Sequence, residues 1–324
     1  VTSRPHPGKI RVGVSGWSYP PWRGDFYPKS LRPSQELHFA SRALDTIEIN
    51  ATFYRLQRPA SFERWHAETP ADFSFSVKGP RFVTHILRGR DARTAIANFL
   101  ASGVLKLAEK LDVILWQFPP GLIFEADAME AFLSLLPHDT AAAACLAREH
   151  DDHISKGVWT ETDRVRPLRH AVEIRDDSFR DAAFIAMLRR HRVALVCADT
   201  VEWPRLMDVT ADFAYCRLHG SKKLYESGYD DAALDRWADR LVAWAQGLPM
   251  TDGDFAAAPA ADGVMRDVFI FFDNTVKPEA PRNALALAGK IARLAGAGPV
   301  RLPEQAEAGP ESHRAGSIGR ESRR

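Results

Sequence analysis

The sequence is short of cysteine, of net charge and of long apolar runs, and each shortage removes a class of protein. Its three cysteines, Cys145, Cys197 and Cys216, show no CxxC spacing, so neither a disulfide framework nor a zinc site is legible. Cys197 and Cys216 lie inside apolar runs and read as small buried thiols in a reducing compartment. A formal net charge of +1 over 324 residues supplies no global field for nucleic acid or membrane. No apolar segment reaches the roughly 18 residues of a bilayer span. The opening VTSRPHPGK has no hydrophobic secretory core, so the expectation is a cytoplasmic protein without membrane association. Also missing are GxGxxG, paired-His metal signatures such as HExxH, and the GxSxG elbow, which GVSGW around Ser15 does not match.

What is present is a repeated pattern. Runs rich in β-branched and aromatic residues end on polar groups: VGVS on Ser15, TIEIN on Asn50, FSFSVK on Lys78 and VILWQ on Gln117. Further along, AVEIR ends on Arg175, ALVCAD on Asp199, YCRLH on His219 and VFIFFDN on Asn274. Helix-period stretches separate them at 34–44, 61–68, 93–111, 126–136, 180–191, 231–246 and 280–296, with Ser34 as an N-cap candidate. Only the connection 200–212 lacks a legible helix. Alternating strands and helices imply parallel pairing with right-handed crossovers. Eight such units over residues 10–296 match a (β/α)₈ TIM-like barrel, and the absent glycine-rich first turn counts against an open doubly wound sheet.

The expected organisation is a tail at 1–9, a single barrel domain over 10–298, and a disordered C-terminal tail at 299–324. That last stretch has too little apolar content to offset ordering. Two segments exceed ordinary loop length. Residues 137–169 include REHDDHISKGVWTETD, whose HDDH reads as a solvated charge run; residues 247–266 read as a plain surface insertion.

Strand alternation then sorts the polar residues by face. Glu48 shares a face with Asn50, Glu173 with Arg175, and Tyr215 with Arg217 and His219. With the apolar sets against the helices, these side chains point into the barrel, where ions cost several kcal/mol each unless paired or bound. Glu48, Glu173, Arg175, Arg217 and His219, with Asp199 and Asp273, are expected to converge at the strand C-termini, where barrels host chemistry. Lys78, Arg81, His85, Arg88, Lys222 and Lys223 follow strands three and seven, and the Gly220 and Ser221 amides could face an anion. Trp17, Tyr19, Trp22, Phe53, Tyr54, Tyr225 and Tyr229 add rings that could stack on a ligand or plug the mouth.

The reading that follows is a rim pocket for a small anionic, phosphorylated-type ligand. Glu48, Glu173, His219 and Asp199 are the acid/base candidates. Trp17, Asn50, Tyr54, Lys78, Arg81, His85, Gln117, Arg175, Arg217, Gly220, Lys222, Asp273 and Asn274 are the binding candidates. A divalent metal on the carboxylates and His219 is the alternative cofactor, opposed by the neighbouring arginines. Two other classes stay open: a metal-dependent nucleic-acid-processing barrel, which the near-neutral charge disfavours, and a non-catalytic binding or scaffold protein.

The ordered pieces VGVSGWSYPPWRGDFYP, EINATFYRL, FSVKGPRFVTH, LWQFPP, HAVEIRDDSF, ADT, YCRLHGS and FIFFDNTVKPEAPRNA resemble the DUF72 family of YecE-like proteins across roughly residues 10–290. The resemblance implies a TIM-like barrel and no assigned activity. Carried over residue by residue, it marks Trp17, Glu48, Asn50, Tyr54, Lys78, Thr84, His85 and Gln117. It also marks Glu173, Arg175, Asp199, Arg217, His219, Gly220, Asp273 and Asn274. The 137–169 insertion exceeds the family's minimal pattern.

Overall fold

Eight parallel strands close on themselves in a computed structural model that describes residues 8–154, 157–250, 252–258 and 263–296. They are β1 (Ile10–Ser15), β2 (Thr46–Ile49), β3 (Ser74–Lys78), β4 (Leu111–Gln117), β5 (Arg169–Glu173), β6 (Ala194–Asp199), β7 (Phe213–Leu218) and β8 (Asp267–Phe272). Neighbours pair in sequence order, and β8 closes the ring on β1 through Ile10–Val268 to Val14–Phe272. The expected (β/α)₈ barrel is the observed fold. Residues 1–7 and the C-terminal stretch expected to be disordered, 299–324, lie outside the described residues. Gly8 and Lys9 already belong to the barrel, since Gly8 N–H donates to Ala245 and Val268 N–H to Lys9.

The period of two along each strand splits the buried residues into two sets. Val12, Val14, Ile47, Ile49, Phe75, Val77, Ile114, Trp116, Val172 and Cys197 join the outer core against the helices. A separate inner cluster holds Val113, Leu115, Ala171, Val196, Ala198, Phe213, Tyr215, Phe269 and Phe271. That partition fixes which polar residues at the strand ends reach the lumen.

The outer layer is α1 (Glu36–Ala43), α2 (Ala51–Tyr54), α3 (Pro59–Glu68), α4 (Arg93–Ala101), α5 (Ala126–Leu133), α6 (Thr140–Ala147), α7 (Ala182–His191), α8 (Asp231–Ala245) and α9 (Glu279–Leu294). Three expectations need correction. Ser34 is not an N-cap, because Pro33–Gln35 form a 3₁₀ turn that runs into α1. The stretch 93–111 is not one helix: Gly103, at φ 107°, ends α4, and a tighter 3₁₀ segment follows before Leu111 opens β4. A Cβ at Gly103 would lie 2.5 Å from Pro59 Cα, so the stop also lets α3 approach closely.

The third correction concerns residues 247–266. The connection from β6 to β7 carries no α-helix among its described residues, and this segment folds back over that gap. Leu206 bridges Asp254, the amides of Ala256 and Ala257 donate to Asp208, and Arg180 pairs with Asp254 at 2.6 Å. Phe255, Ala256 and Ala257 pack on the outer core. The segment is therefore cover for the barrel wall as well as surface. In the 137–169 insertion, α6 packs beside α4, capped by Asp139 accepting from Ala142 N–H. Asp151 of HDDH is pinned to Asn98 by two hydrogen bonds, while His153 points to solvent.

Candidate functional site at the barrel mouth

The inward phase delivers Glu48, Lys78, Gln117, Glu173, Arg217 and Asp273 to the C-terminal end of the lumen, with Asn50, Arg175 and His219 just beyond. Arg217 is fully buried and is the hub. Its Nε and Nη2 donate to Glu48 at 3.0 and 2.8 Å, and Nη1 donates to Glu173 Oε2 at 2.6 Å. Nη2 also lies 3.1 Å from Asp273 Oδ2. Glu48 accepts two more hydrogen bonds, from Ser15 Oγ at 3.0 Å and Tyr215 Oη at 2.7 Å. Its four acceptor positions are filled, so Glu48 orients Arg217 and has no lone pair left for a substrate proton.

Glu173 is similarly committed, with Arg175 Nε donating to Oε1 at 2.8 Å and Arg175 Nη2 lying 2.7 Å from the same oxygen. Burial alone would raise its carboxyl, but Arg217 and Arg175 outweigh it and hold Glu173 well below the usual carboxylate range. Asp273 is depressed in the same way: burial opposes ionisation, and Arg217 with His219 overcomes it. Both acids are anions at neutral pH, so neither donates a proton there.

His219 is buried between these acids and an aromatic wall. Its Nδ1 lies 3.0 Å from Asp273 Oδ2 and its Nε2 3.7 Å from Glu173 Oε2, neither aligned as a hydrogen bond. Trp203 and Tyr225 meet the ring edge-on at 5.3 and 5.6 Å. The Arg175 guanidinium carbon lies 4.1 Å from the centre of the Trp203 ring, a cation–π contact.

Lys78 differs from the other inward cations. Among the described residues its Nζ makes no hydrogen bond or ion pair, and it sits 4.2 Å above the Phe53 ring. Burial, then repulsion from Arg217, brings its pKa down from 10.5 to about 8. Beyond it, His85 contacts the other side of the mouth, hydrogen-bonded to Thr84 Oγ1 at 2.9 Å and edge-on to Phe53. Burial, with Lys78, Arg175 and Arg81 as like charges, lowers His85 to about 4, so it is neutral at physiological pH. The mouth therefore has an acidic floor locked by Arg217 and a cationic side at Lys78 and Arg175.

Other candidates lie elsewhere. Asp199 does not join the cluster. It shares its phase with Cys197 and Leu195, which face outward, and its carboxylate binds Trp237 Nε1 of α8 and Arg205. Asn274 likewise turns to the helix layer, where its Nδ2 donates to Ser227 O and Asn283 Oδ1. The Gly220 amide is not an open anion donor: it is taken by Tyr229 Oη at 3.1 Å. The Lys222 and Lys223 amides close on Ser227 Oγ, and both side chains are exposed on that loop. Trp17 spends its ring on Trp65 of α3, and Trp22 is a buried plug. Tyr54 and Arg81 line an adjoining groove of about 440 Å³ rather than the mouth itself. Asn50 keeps a buried Oδ1 without a partner.

Two features were missed in the sequence. Trp203 forms the mouth's wall, and its only signal was a lone tryptophan in a connection with no legible helix. The Ser15 and Tyr215 locks on Glu48 were visible as faces but not as partners. A larger cavity, about 670 Å³, opens at the N-terminal end among Arg166, Arg169, Arg189 and Arg192. It contains none of the strand C-termini, and Arg166 and Arg169 are paired with Asp163 and Asp267, so the mouth is the stronger candidate. A divalent ion does not fit the mouth's acids, because guanidinium groups occupy Glu48, Glu173 and Asp273; no metal-binding group of His, Cys, Asp and Glu forms among the described residues.

A parallel eight-stranded barrel with an arginine-locked acidic cluster at its C-terminal mouth defines the class of protein. The chain belongs to the DUF72 family, whose model, described as a protein of unknown function, matches residues 11–307. It is 28% identical over 116 residues to UPF0759 protein YunF of Bacillus subtilis (strain 168), covering 34% of this chain and 40% of that protein. It is 28% identical over 129 residues to UPF0759 protein YecE of Escherichia coli (strain K12), covering 40% of this chain and 44% of that protein. The chain thus spans less than half the length of the curated relatives it matches. A solved DUF72 family protein from Thermotoga maritima MSB8 superposes with a TM-score of 0.66 at 24% identity, covering 89% of this chain and 99% of that one. Another, from Enterococcus faecalis V583, gives 0.63 at 16%, covering 92% and 100%. At those identities the likeness shows the fold.

Proposed function

We propose that the mouth binds a small anionic metabolite, of the sugar-phosphate type, between Lys78 and Arg175. The observation that carries this reading is Lys78. Buried cations in proteins are ordinarily paired, and here Arg217 has three acids while Lys78 has none within ion-pair distance among the described residues. An arriving anion would supply the missing partner. Neutral His85 and the Trp203 and Tyr225 rings offer hydrogen bonding and an apolar wall for the rest of the molecule. The four hydrogen bonds that Glu48 already accepts support a binding role for the mouth over proton acceptance by that carboxylate.

Isothermal titration with glycerol 3-phosphate as probe tests it. Binding should weaken at least tenfold in Lys78→Met and in Arg175→Met, and stay within twofold in Arg93→Met, which alters only a surface pair with Glu149. Equal affinity in all four proteins would remove the mouth as the anion site.

A further inference from the structure

We propose that Lys78 is also a nucleophile, whose Nζ condenses with the carbonyl carbon of an anionic aldehyde or ketone to form an imine. The inference rests on the anion-binding reading and names the substrate class for the same site.

Three lysines are buried among the described residues, and they are not alike. Lys110 donates to the carbonyls of His66 and Thr69 at 2.6 and 2.8 Å. Lys290 pairs with Asp231 and Asp235 at 2.7 and 2.5 Å. Each has its Nζ within hydrogen-bond distance of acceptors. Lys78 has no such acceptor, and it stands at the C-terminal end of a barrel strand with only 8% of its surface exposed. Its own carbonyl is gripped by Thr52 Oγ1 at 2.7 Å, which fixes the strand end from which the side chain reaches into the mouth.

An amine must shed its proton before it can attack, and the surroundings favour that. Burial and then Arg217 disfavour the ammonium and outweigh the more distant acids Glu48, Asp273 and Glu173 and the Phe53 face, which favour it. With a pKa of about 8, roughly one Lys78 in ten is a free amine at pH 7. That is on the order of 300 times the fraction for a lysine at 10.5. Desolvated lysines next to a second cation are the ones that form Schiff bases.

The step balances without an oxidant or reductant. The Nζ lone pair forms a bond to the carbonyl carbon as the C=O pair moves onto oxygen. Water carries a proton from nitrogen to that oxygen. The carbinolamine then closes its C=N bond and expels the hydroxyl as water after a second proton arrives. Amine plus carbonyl plus one proton gives protonated imine plus water. The protonated imine keeps a positive charge, which Glu48, Asp273 and Glu173 favour at this position as they favour the ammonium. Arg175 is left to hold the anionic end.

The test uses the full chain at pH 7 with pyridoxal 5′-phosphate as an anionic aldehyde probe, followed by borohydride and peptide mapping. Hydride reduces any imine to a stable secondary amine, so the labelled lysine is read directly. Label at Lys78 should exceed that at exposed Lys9, Lys29 and Lys222 at least tenfold, and free phosphate should suppress it. Glycerol 3-phosphate binding by the unaltered protein is measured in parallel, so that anion binding and imine formation are read separately. Binding of glycerol 3-phosphate with no label at Lys78, or label spread evenly over the surface lysines, overturns the imine and leaves the anion site standing. Absence of both binding and label removes both.

Discussion

Replacing Arg217 with methionine should be among the most damaging single changes in this barrel, and its effect should depend on pH in an unusual direction. The guanidinium carries two hydrogen bonds to Glu48, one to Glu173 and a close pair with Asp273. Breaking one buried ion pair costs about 3–5 kcal/mol, because the remaining charge is stranded. Here three acids lose their common partner and only Lys78 and Arg175 remain against them, so a loss of at least about 4 kcal/mol is expected at pH 7.5. The variant's native state can restore neutrality only by taking up a proton on one carboxylate, whose pKa then rises above its unfolded value of about 4. A native state that binds more protons than the unfolded one becomes more stable as pH falls. Arg217→Met should therefore regain part of its deficit between pH 7.5 and 5. In the parent, Glu173 and Asp273 sit below the usual range, so their contribution stays constant over that window and is lost only as pH falls below about 4. Urea unfolding followed by tryptophan fluorescence at the two pH values measures this. A deficit under about 1 kcal/mol, or one equal at both pH values, would refute the reasoning.

Lys78→Met should behave oppositely. The depression from 10.5 to about 8 corresponds to roughly 3 kcal/mol, so the variant should be more stable than the parent at pH 7 by up to that amount. The unfolded lysine binds its proton more tightly, so the parent gains stability from pH 8 to 10.5 and the advantage closes over that window; urea midpoints at pH 7 and 10 report it, and a less stable variant at pH 7 contradicts it. Asn274→Ala removes ties to Ser227 and Asn283 and should cost about 1–2 kcal/mol in thermal unfolding, yet leave glycerol 3-phosphate affinity within twofold. A large affinity loss there would place Asn274 in the mouth after all.

The barrel was legible because its signal is redundant: eight apolar runs with period two, separated by helix-period stretches, agree on one architecture. The site was legible where a face could be read from strand alternation, as with Glu48, Glu173 and Arg217. The same rule, applied more strictly, would have excluded Asp199 and Asn274. Each stands one residue out of phase with its inward neighbours, Asp199 after Ala198 and Asn274 after Asp273. Alternation could not reveal that Glu48 is saturated, since its partners Ser15 and Tyr215 come from strands 33 and 167 residues away. The cover supplied by residues 247–266 was hidden for a similar reason. Its contacts with Asp208 and Arg180 join segments with no local pattern in common.

The closing seam between β1 and β8 links the charged cluster to the order in which the chain is made. Ser15 and Glu48 emerge first from synthesis, Arg217 much later, and Asp273 only after the last strand. Until β8 docks, the edges of β1 and β7 are unpaired templates for other chains, and Arg217 lacks one of its acids. Pairings this distant in sequence are slow to form, so neutral assembly of the cluster coincides with ring closure. A chain truncated before Asp267 would carry both open edges and an incomplete ion network, and is expected to partition to aggregates rather than to a partial barrel.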